Sequence, residues 1–310
     1  MEFFIFYNKN KMTNPTVCPY TLEDIQSCKD ITLEEVKKDY KNLIDFKADT
    51  NPKKFCGNKV LYQYQFRNLL KCRREKQLTI EEIFESKEEI QKLWDETIKR
   101  NRRDKDPTCS ATDMYECFRI NRGAIVLFKS STAKYIYKLF QAKSVLDPTA
   151  GWGGRMLGAA SLGIKYFGMD LNKNLRSGYD KMRKDLNISR KECRMYWGNC
   201  LKADFSKIDY DLVLTSPPYV NMEIYEGSPY YKNDNYFYEK FLIPLMNKCF
   251  EHLKIGGHMC FNISPKMFKK LMTYDVSWGQ KDPHMKIDLR QQLGRNHVTK
   301  SQDYIYVWKK

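Results

Sequence analysis

The chain has 310 residues, 42% of them apolar, enough for one large domain or for a catalytic domain with an accessory part. No stretch comes near the roughly 18 uninterrupted apolar residues that a membrane span needs, and MEFFIFYNKN carries no basic leader, so a soluble intracellular protein is expected. A net charge of +16 points to a polyanionic partner, because cations that neutralise phosphates release counterions and bind nucleic acid whatever its sequence.

The charge is uneven, with 22 Lys+Arg against 19 Asp+Glu in residues 1–106 and 32 against 19 in residues 107–310. Ten cysteines are scattered with no CxxC pair, and there are only four histidines, so no metal site is expected and the thiols read as reduced. Residues 20–106 read as helical. Thr21 with Asp24 and Thr32 with Glu35 have capping-box spacing, and LYQYQFRNLLKCRREK and TIEEIFESKEEIQKLWDETIKR repeat apolar residues every three or four positions. The polar run from Lys99 to Pro107 is a candidate linker. The chain is therefore divided into a helical accessory region, 1–118, and a catalytic domain, 119–310.

From about residue 119 short apolar runs alternate with helical stretches: SVLDP (144–148), YFGMDL (166–171), YDLVLTSPP (210–218), HMCFNIS (258–264) and YIYVWK (304–309). Strands that are apolar throughout, separated by crossover helices, imply an α/β fold with a doubly wound, mostly parallel sheet. No long helix precedes the last strand, so an antiparallel final pairing is expected.

S-V-L-D-P-T-A-G-W-G-G-R ends one strand and enters a helix, the place where open α/β sheets bind ligands. Gly151, Gly153 and Gly154 let backbone approach a ligand without Cβ obstruction. Met156 stands where a dinucleotide fingerprint wants a glycine, and Gly-Gly-Arg replaces the Gly-Lys-Ser/Thr of a phosphate loop. Asp147 at the strand tip repels phosphates and suits a cation, such as the methionyl ammonium of S-adenosylmethionine. Pro148 and Thr149 follow it in the turn. The next strand ends in Asp170, followed by Leu171; a carboxylate there accepts ribose hydroxyls. After the third strand, Asn199 and Cys200 are placed to reach an adenine ring.

The second site is T-S-P-P-Y, 215–219. Pro217 and Pro218 stop a buried strand and fix nearby carbonyl oxygens outward. A base amino group is a poor nucleophile because its lone pair is delocalised into the ring. Acceptors at Ser216, through its hydroxyl or backbone, and at the Pro217 carbonyl would hold both N–H groups and free that lone pair. Tyr219 offers a ring for a base that has left the stack.

D-P-T-A-G-W-G-G and T-S-P-P-Y resemble the cofactor and catalytic motifs of the N6-adenine and N4-cytosine amino-methyltransferase superfamily, over residues 119–310. The resemblance implies a Rossmann-like seven-stranded sheet and S-adenosylmethionine as cofactor. It implies methyl transfer to an exocyclic base amine, with DNA favoured over RNA as partner. V-L-F-K-S-S-T-A-K-Y-I (126–136) is similar to the family's extra cofactor segment and places Phe128 and Lys129 near the methionine end. Two positions depart from the family: Asn199 stands where an Asp is usual, and Ser216 where many members carry an acid, so no carboxylate base is available there. An RNA or tRNA base methyltransferase and a protein-glutamine methyltransferase remain open alternatives. Between Tyr219 and residue 236, Tyr225, Tyr230 and Tyr231 could stack on bases, and Lys266, Lys269, Lys270, Arg290 and Arg295 could meet phosphates.

Overall fold

The computed structural model describes residues 16–310 except 54, 75, 104–107, 124, 220–222, 225–230, 279–280 and 294–296. The first part is helical: α1 (Leu22–Ser27), α2 (Leu33–Asp45), α3 (Asn58–Leu69), a two-residue strand β1 (Arg73–Arg74), α4 (Ile80–Phe84), α5 (Lys87–Arg103) and α6 (Ala111–Arg122). Thr21 and Thr32 open α1 and α2 through capping boxes, as their spacing predicts. Thr79 with Glu82 and Ser110 with Asp113 do the same for α4 and α6. The expected linker, 99–107, is helical in its described residues. Lys99–Arg103 continue α5, because the amphipathic stripe that buries Leu93 and Trp94 carries the helix onward, and 104–107 lie outside the described residues.

The second part alternates strands and helices: α7 (Ser130–Leu139), β2 (Ser144–Asp147), α8 (Gly154–Ala160), β3 (Lys165–Asp170), α9 (Leu175–Asp185), β4 (Cys193–Trp197), β5 (Leu212–Thr215), β6 (Glu223–Ile224), α10 (Asp234–Phe237), α11 (Ile243–Glu251), β7 (His258–Ile263), α12 (Pro265–Leu271), β8 (Met285–Leu293) and β9 (His297–Lys309). Seven strands form one sheet in the order β4-β3-β2-β5-β7-β9-β8. The pairings are parallel except those of β9, which runs antiparallel to β7 and β8. This is the doubly wound, mostly parallel, Rossmann-like fold that the sequence predicts. β2 and β5 are buried along their whole length, as central strands covered on both faces must be. The order reverses between them, so their carboxyl ends open the crevice where such sheets bind ligands.

The helical part and the sheet share a hydrophobic core, to which Ile25, Leu43 and Leu61 belong together with Val145, Tyr166 and Met182. Polar joins reinforce it. Buried Gln65 of α3 donates from Nε2 to the Leu175 carbonyl of α9 at 3.1 Å. A Cβ on Gly178 would stand 2.5 Å from the Tyr64 carbonyl, so only glycine lets α3 and α9 approach this closely. The ammonium of Lys134, on α7, donates to the carbonyls of Leu43 and Ile44 at 2.8 and 2.7 Å and caps the end of α2.

Candidate active site

β2 ends in Asp147, which is fully buried. Its Oδ2 accepts from Arg155 Nε at 2.7 Å and from the Tyr166 hydroxyl at 2.6 Å, and its Oδ1 accepts from Thr215 Oγ1 at 2.9 Å. The expectation that this carboxylate faces a ligand cation is corrected: the cation it faces is the chain's own Arg155. Arg155 also donates to the Thr149 carbonyl and lies over the Phe128 ring, 5.0 Å from its centre. The ion pair thus braces the glycine-rich turn from behind.

Gly151 (φ +58°) and Gly153 (φ +95°) give that turn its left-handed residues. A Cβ on Gly151 would meet nothing within 4 Å, so its backbone is bare toward the cavity. Gly153 caps α8 and packs against Tyr179 and Met182 without lining the cavity, so its part is in the turn. Gly154 matters for a different reason. A Cβ there would sit 2.1 Å from the Phe128 carbonyl oxygen, so the missing side chain lets the segment before α7 lie against the loop.

The two predicted loops are joined directly. Thr149 Oγ1 lies 2.7 Å from Thr215 Oγ1 and donates to the Ser216 carbonyl at 3.0 Å, while Thr149 N donates to Thr215 Oγ1 at 3.2 Å. On the other side of Ser216, Asn262 at the end of β7 donates from Nδ2 to the Ser216 hydroxyl at 3.1 Å.

Both loops open on one cavity of about 300 Å³. Every predicted site residue except Asp147 and Gly153 lines it: Phe128 and Lys129 before α7, Pro148 to Gly151 in the turn, Asp170 and Leu171 after β3, Asn199 and Cys200 after β4, and Ser216 to Tyr219. Asp170 accepts from Gly151 N at 2.7 Å and from Asn172 N at 2.8 Å. Burial pushes its carboxyl up to about 6 in spite of those donors. Leu171 beside it is 40% exposed, an apolar surface at the cavity edge. Burial, and then the nearby charge of Arg119, pulls the Lys129 ammonium down to about 8. Asn199 turns its Oδ1 to Leu201 N at 2.9 Å, capping a short 3₁₀ turn, and burial pushes the Cys200 thiol up to about 12.

Several lining residues escaped the sequence reading. Asn262 had a signal, being the one amide in the apolar run HMCFNI; Arg74, Phe241 and Asp303 had none. Tyr231 is buried at the cavity wall with Phe241, which projects from a π-helical turn, Tyr238–Leu242, between α10 and α11. Tyr225, Tyr230 and Arg295 lie outside the described residues; Lys266 and Lys269 are exposed on α12, and the Arg290 side chain is undescribed. Among the described residues no group of three His, Cys, Asp or Glu could hold a metal ion, and no helix is long and apolar enough to cross a membrane.

Solved structures with similarity to the chain include TrmN from Thermus thermophilus, 16% identical with a TM-score of 0.38 over 59% of this chain and 49% of that one. The match thus spans about half the length of that protein. An RNA methyltransferase from Salinibacter ruber in complex with S-adenosyl-L-homocysteine is 16% identical, TM-score 0.38, over 59% and 92%. An rRNA methylase from Streptococcus thermophilus is 13% identical, TM-score 0.39, over 60% and 99%. No family model and no curated protein matches the chain.

Proposed function

We propose that the chain is an S-adenosylmethionine-dependent methyltransferase acting on an exocyclic amine of a nucleic-acid base, cytosine N4 or adenine N6, with DNA the leading acceptor on the motif resemblance. The observation that carries the reading is the union, through Thr149, Thr215 and Ser216, of a bare glycine turn and a Ser-Pro-Pro-Tyr loop on one cavity.

The residues present fit the cofactor. Asp170 is a ribose-hydroxyl acceptor, Leu171 and Cys200 give an apolar edge for the adenine, the Gly151 backbone leaves room, and the Lys129 ammonium suits the methionyl carboxylate. When bound, S-adenosylmethionine supplies a methyl group on a cationic sulfur. The chain's task is then to present the amine in line. Thr149 takes up the Ser216 carbonyl, which leaves the Ser216 hydroxyl, oriented by Asn262, and the Pro217 carbonyl as acceptors for the two amine hydrogens. Tyr219, Tyr231 and Phe241 supply aromatic walls for a flipped base. Ser216 takes no proton as a carboxylate would, so positioning is the main contribution, for which roughly 7–11 kcal/mol of barrier lowering is within range.

Tritiated S-adenosylmethionine offered with duplex DNA, single-stranded DNA and total RNA, followed by digestion and mass spectrometry of the nucleosides, tests this. N4-methylcytosine or N6-methyladenine from DNA, lost in Ser216→Ala and Tyr219→Ala, is the expected result. Label from RNA alone moves the acceptor and keeps the site; failure to bind the cofactor refutes the enzyme reading.

A further inference from the structure

Among the described residues that line the cavity, two are carboxylates, Asp170 and Asp303. Asp170 sits at the tip of β3 and is engaged by the backbone of the glycine turn and of Asn172, on the cofactor side. Asp303 comes from β9, on the other side of the sheet order beyond β7, and its carboxyl group forms a side-chain hydrogen bond with Tyr219. Burial raises the Asp303 carboxyl above its ordinary value, against the Tyr219 hydrogen bond and the charge of Arg74, which lines the same cavity.

The placement of Arg74 is built in. β1 pairs antiparallel with β6, Arg73 opposite Ile224 and Arg74 opposite Glu223, so the helical part is laced to the segment just beyond the Ser-Pro-Pro-Tyr loop. Gly123 (φ +85°) clears the way, since a Cβ there would lie 2.7 Å from Arg74 Cδ. Tyr219 is therefore gripped twice: its backbone ends the loop anchored by Thr149, and its hydroxyl is bound to β9.

We propose that Asp303 is a positioning residue for the acceptor base, holding the Tyr219 ring by its hydroxyl, and that Arg74 makes the helical part of the chain a component of the acceptor site. The proposal rests on the methyl-transfer reading above. A tyrosine whose hydroxyl is tied to a carboxyl group on β9 is held against swinging with the loop, so the ring that receives a flipped base is in place before the base arrives. That pre-ordering lowers the cost of ordering on binding, and hydrogen bonds to charged groups are the stronger kind.

The test is a double-mutant cycle on the full chain with Tyr219→Phe, which keeps the ring and drops the hydroxyl, and Asp303→Ala. Steady-state kinetics are read on whichever nucleic acid the wild type methylates. Each single variant is expected to lower kcat/KM for the acceptor roughly ten- to hundredfold, the scale of a hydrogen bond to a charged group. Affinity for S-adenosylhomocysteine by calorimetry should not change, and the double variant should be no worse than the worse single one. Arg74→Gln should give a smaller loss in the same direction. Losses that multiply in the double variant, an unaltered kcat/KM in Tyr219→Phe, or a fall in cofactor affinity with Asp303→Ala would overturn the proposal. A readout without turnover separates this from the wider reading. In ring-labelled tyrosine NMR, the Tyr219 signal, identified by its absence in Tyr219→Phe, should shift in Asp303→Ala. A wild type that methylates nothing sinks the methyltransferase reading, while an unmoved Tyr219 signal sinks the positioning role.

Discussion

Thr149 Oγ1 and Thr215 Oγ1, from the turn after β2 and the end of β5, lie 2.7 Å apart, and the Thr215 hydroxyl donates a hydrogen bond to the buried carboxylate of Asp147. Two loops 66 residues apart in sequence thus meet in a polar cluster. Whatever displaces one displaces the other, which is what a site needs if a donor and an acceptor must be held in line.

Thr215→Val keeps the shape and removes the hydroxyl. It leaves Asp147 Oδ1 and the Thr149 N–H short of a partner, so the expected loss is about 1–3 kcal/mol of unfolding free energy by urea titration. A variant as stable as the wild type would show that the cluster is not coupled as described.

Arg155→Met should cost more, about 3–5 kcal/mol, because it strands a buried carboxylate. Adding Asp147→Leu to Arg155→Met should recover much of the stability, as apolar replacements of buried ion pairs often do. If the double variant is less stable than Arg155→Met alone, the pair is doing more than bracing the turn.

Cofactor affinity should depend on pH through Asp170. Its folded carboxyl is raised by burial to about 6, so in the free protein its contribution to stability is greatest below the unfolded value near 4 and is lost as pH rises through 6. Ribose binding needs the ionised form and runs the opposite way. The dissociation constant of S-adenosylhomocysteine should be flat above about pH 7 and rise about tenfold per unit below 6. Calorimetry at pH 5, 6 and 7.5 checks this, and a flat profile would remove Asp170 from the ribose site.

Gly154→Ala and Gly163→Ala make a matched pair. The first drives a methyl into the Phe128 carbonyl and should weaken cofactor binding at least tenfold, since Phe128 and Lys129 must move away. The second adds a methyl into open space at φ +66° and should cost only about 1 kcal/mol of stability with binding intact. Equal effects on binding would mean that the 126–129 segment plays no part in the cofactor site.

The sheet was legible because its central strands are short apolar runs ended by Asp-Pro, Asp-Leu and Pro-Pro, and the crossover helices between them carry the 3.6-residue repeat. The places of Ser216 to Tyr219 and of Asp170 at the cavity were legible because proline and isolated carboxylates at strand tips are chemically conspicuous. Asp147 was misread for a physical reason: a carboxylate at a strand tip looks the same in sequence whether it faces a ligand or an arginine eight residues on. Arg74 and Asp303 were invisible because nothing local marks them. Their roles depend on a β1–β6 pairing 150 residues apart and on β9 returning antiparallel beside β7. The polar run at 99–107 looked like a linker because composition does not reveal that a helix already anchored by Trp94 will continue to Arg103.

The shared core also sets an order of assembly on the ribosome. Helices α1 to α6 emerge first, yet Gln65 waits for Leu175, 110 residues later, and the carbonyls ending α2 wait for Lys134. Until α9 is out, α3 lacks the helix it packs against. Contacts of such long range are slow to form and leave apolar helix faces open meanwhile. A nascent chain stalled before residue 175 should therefore be a client of chaperones, because the helices of the first part cannot complete their packing until α9 follows.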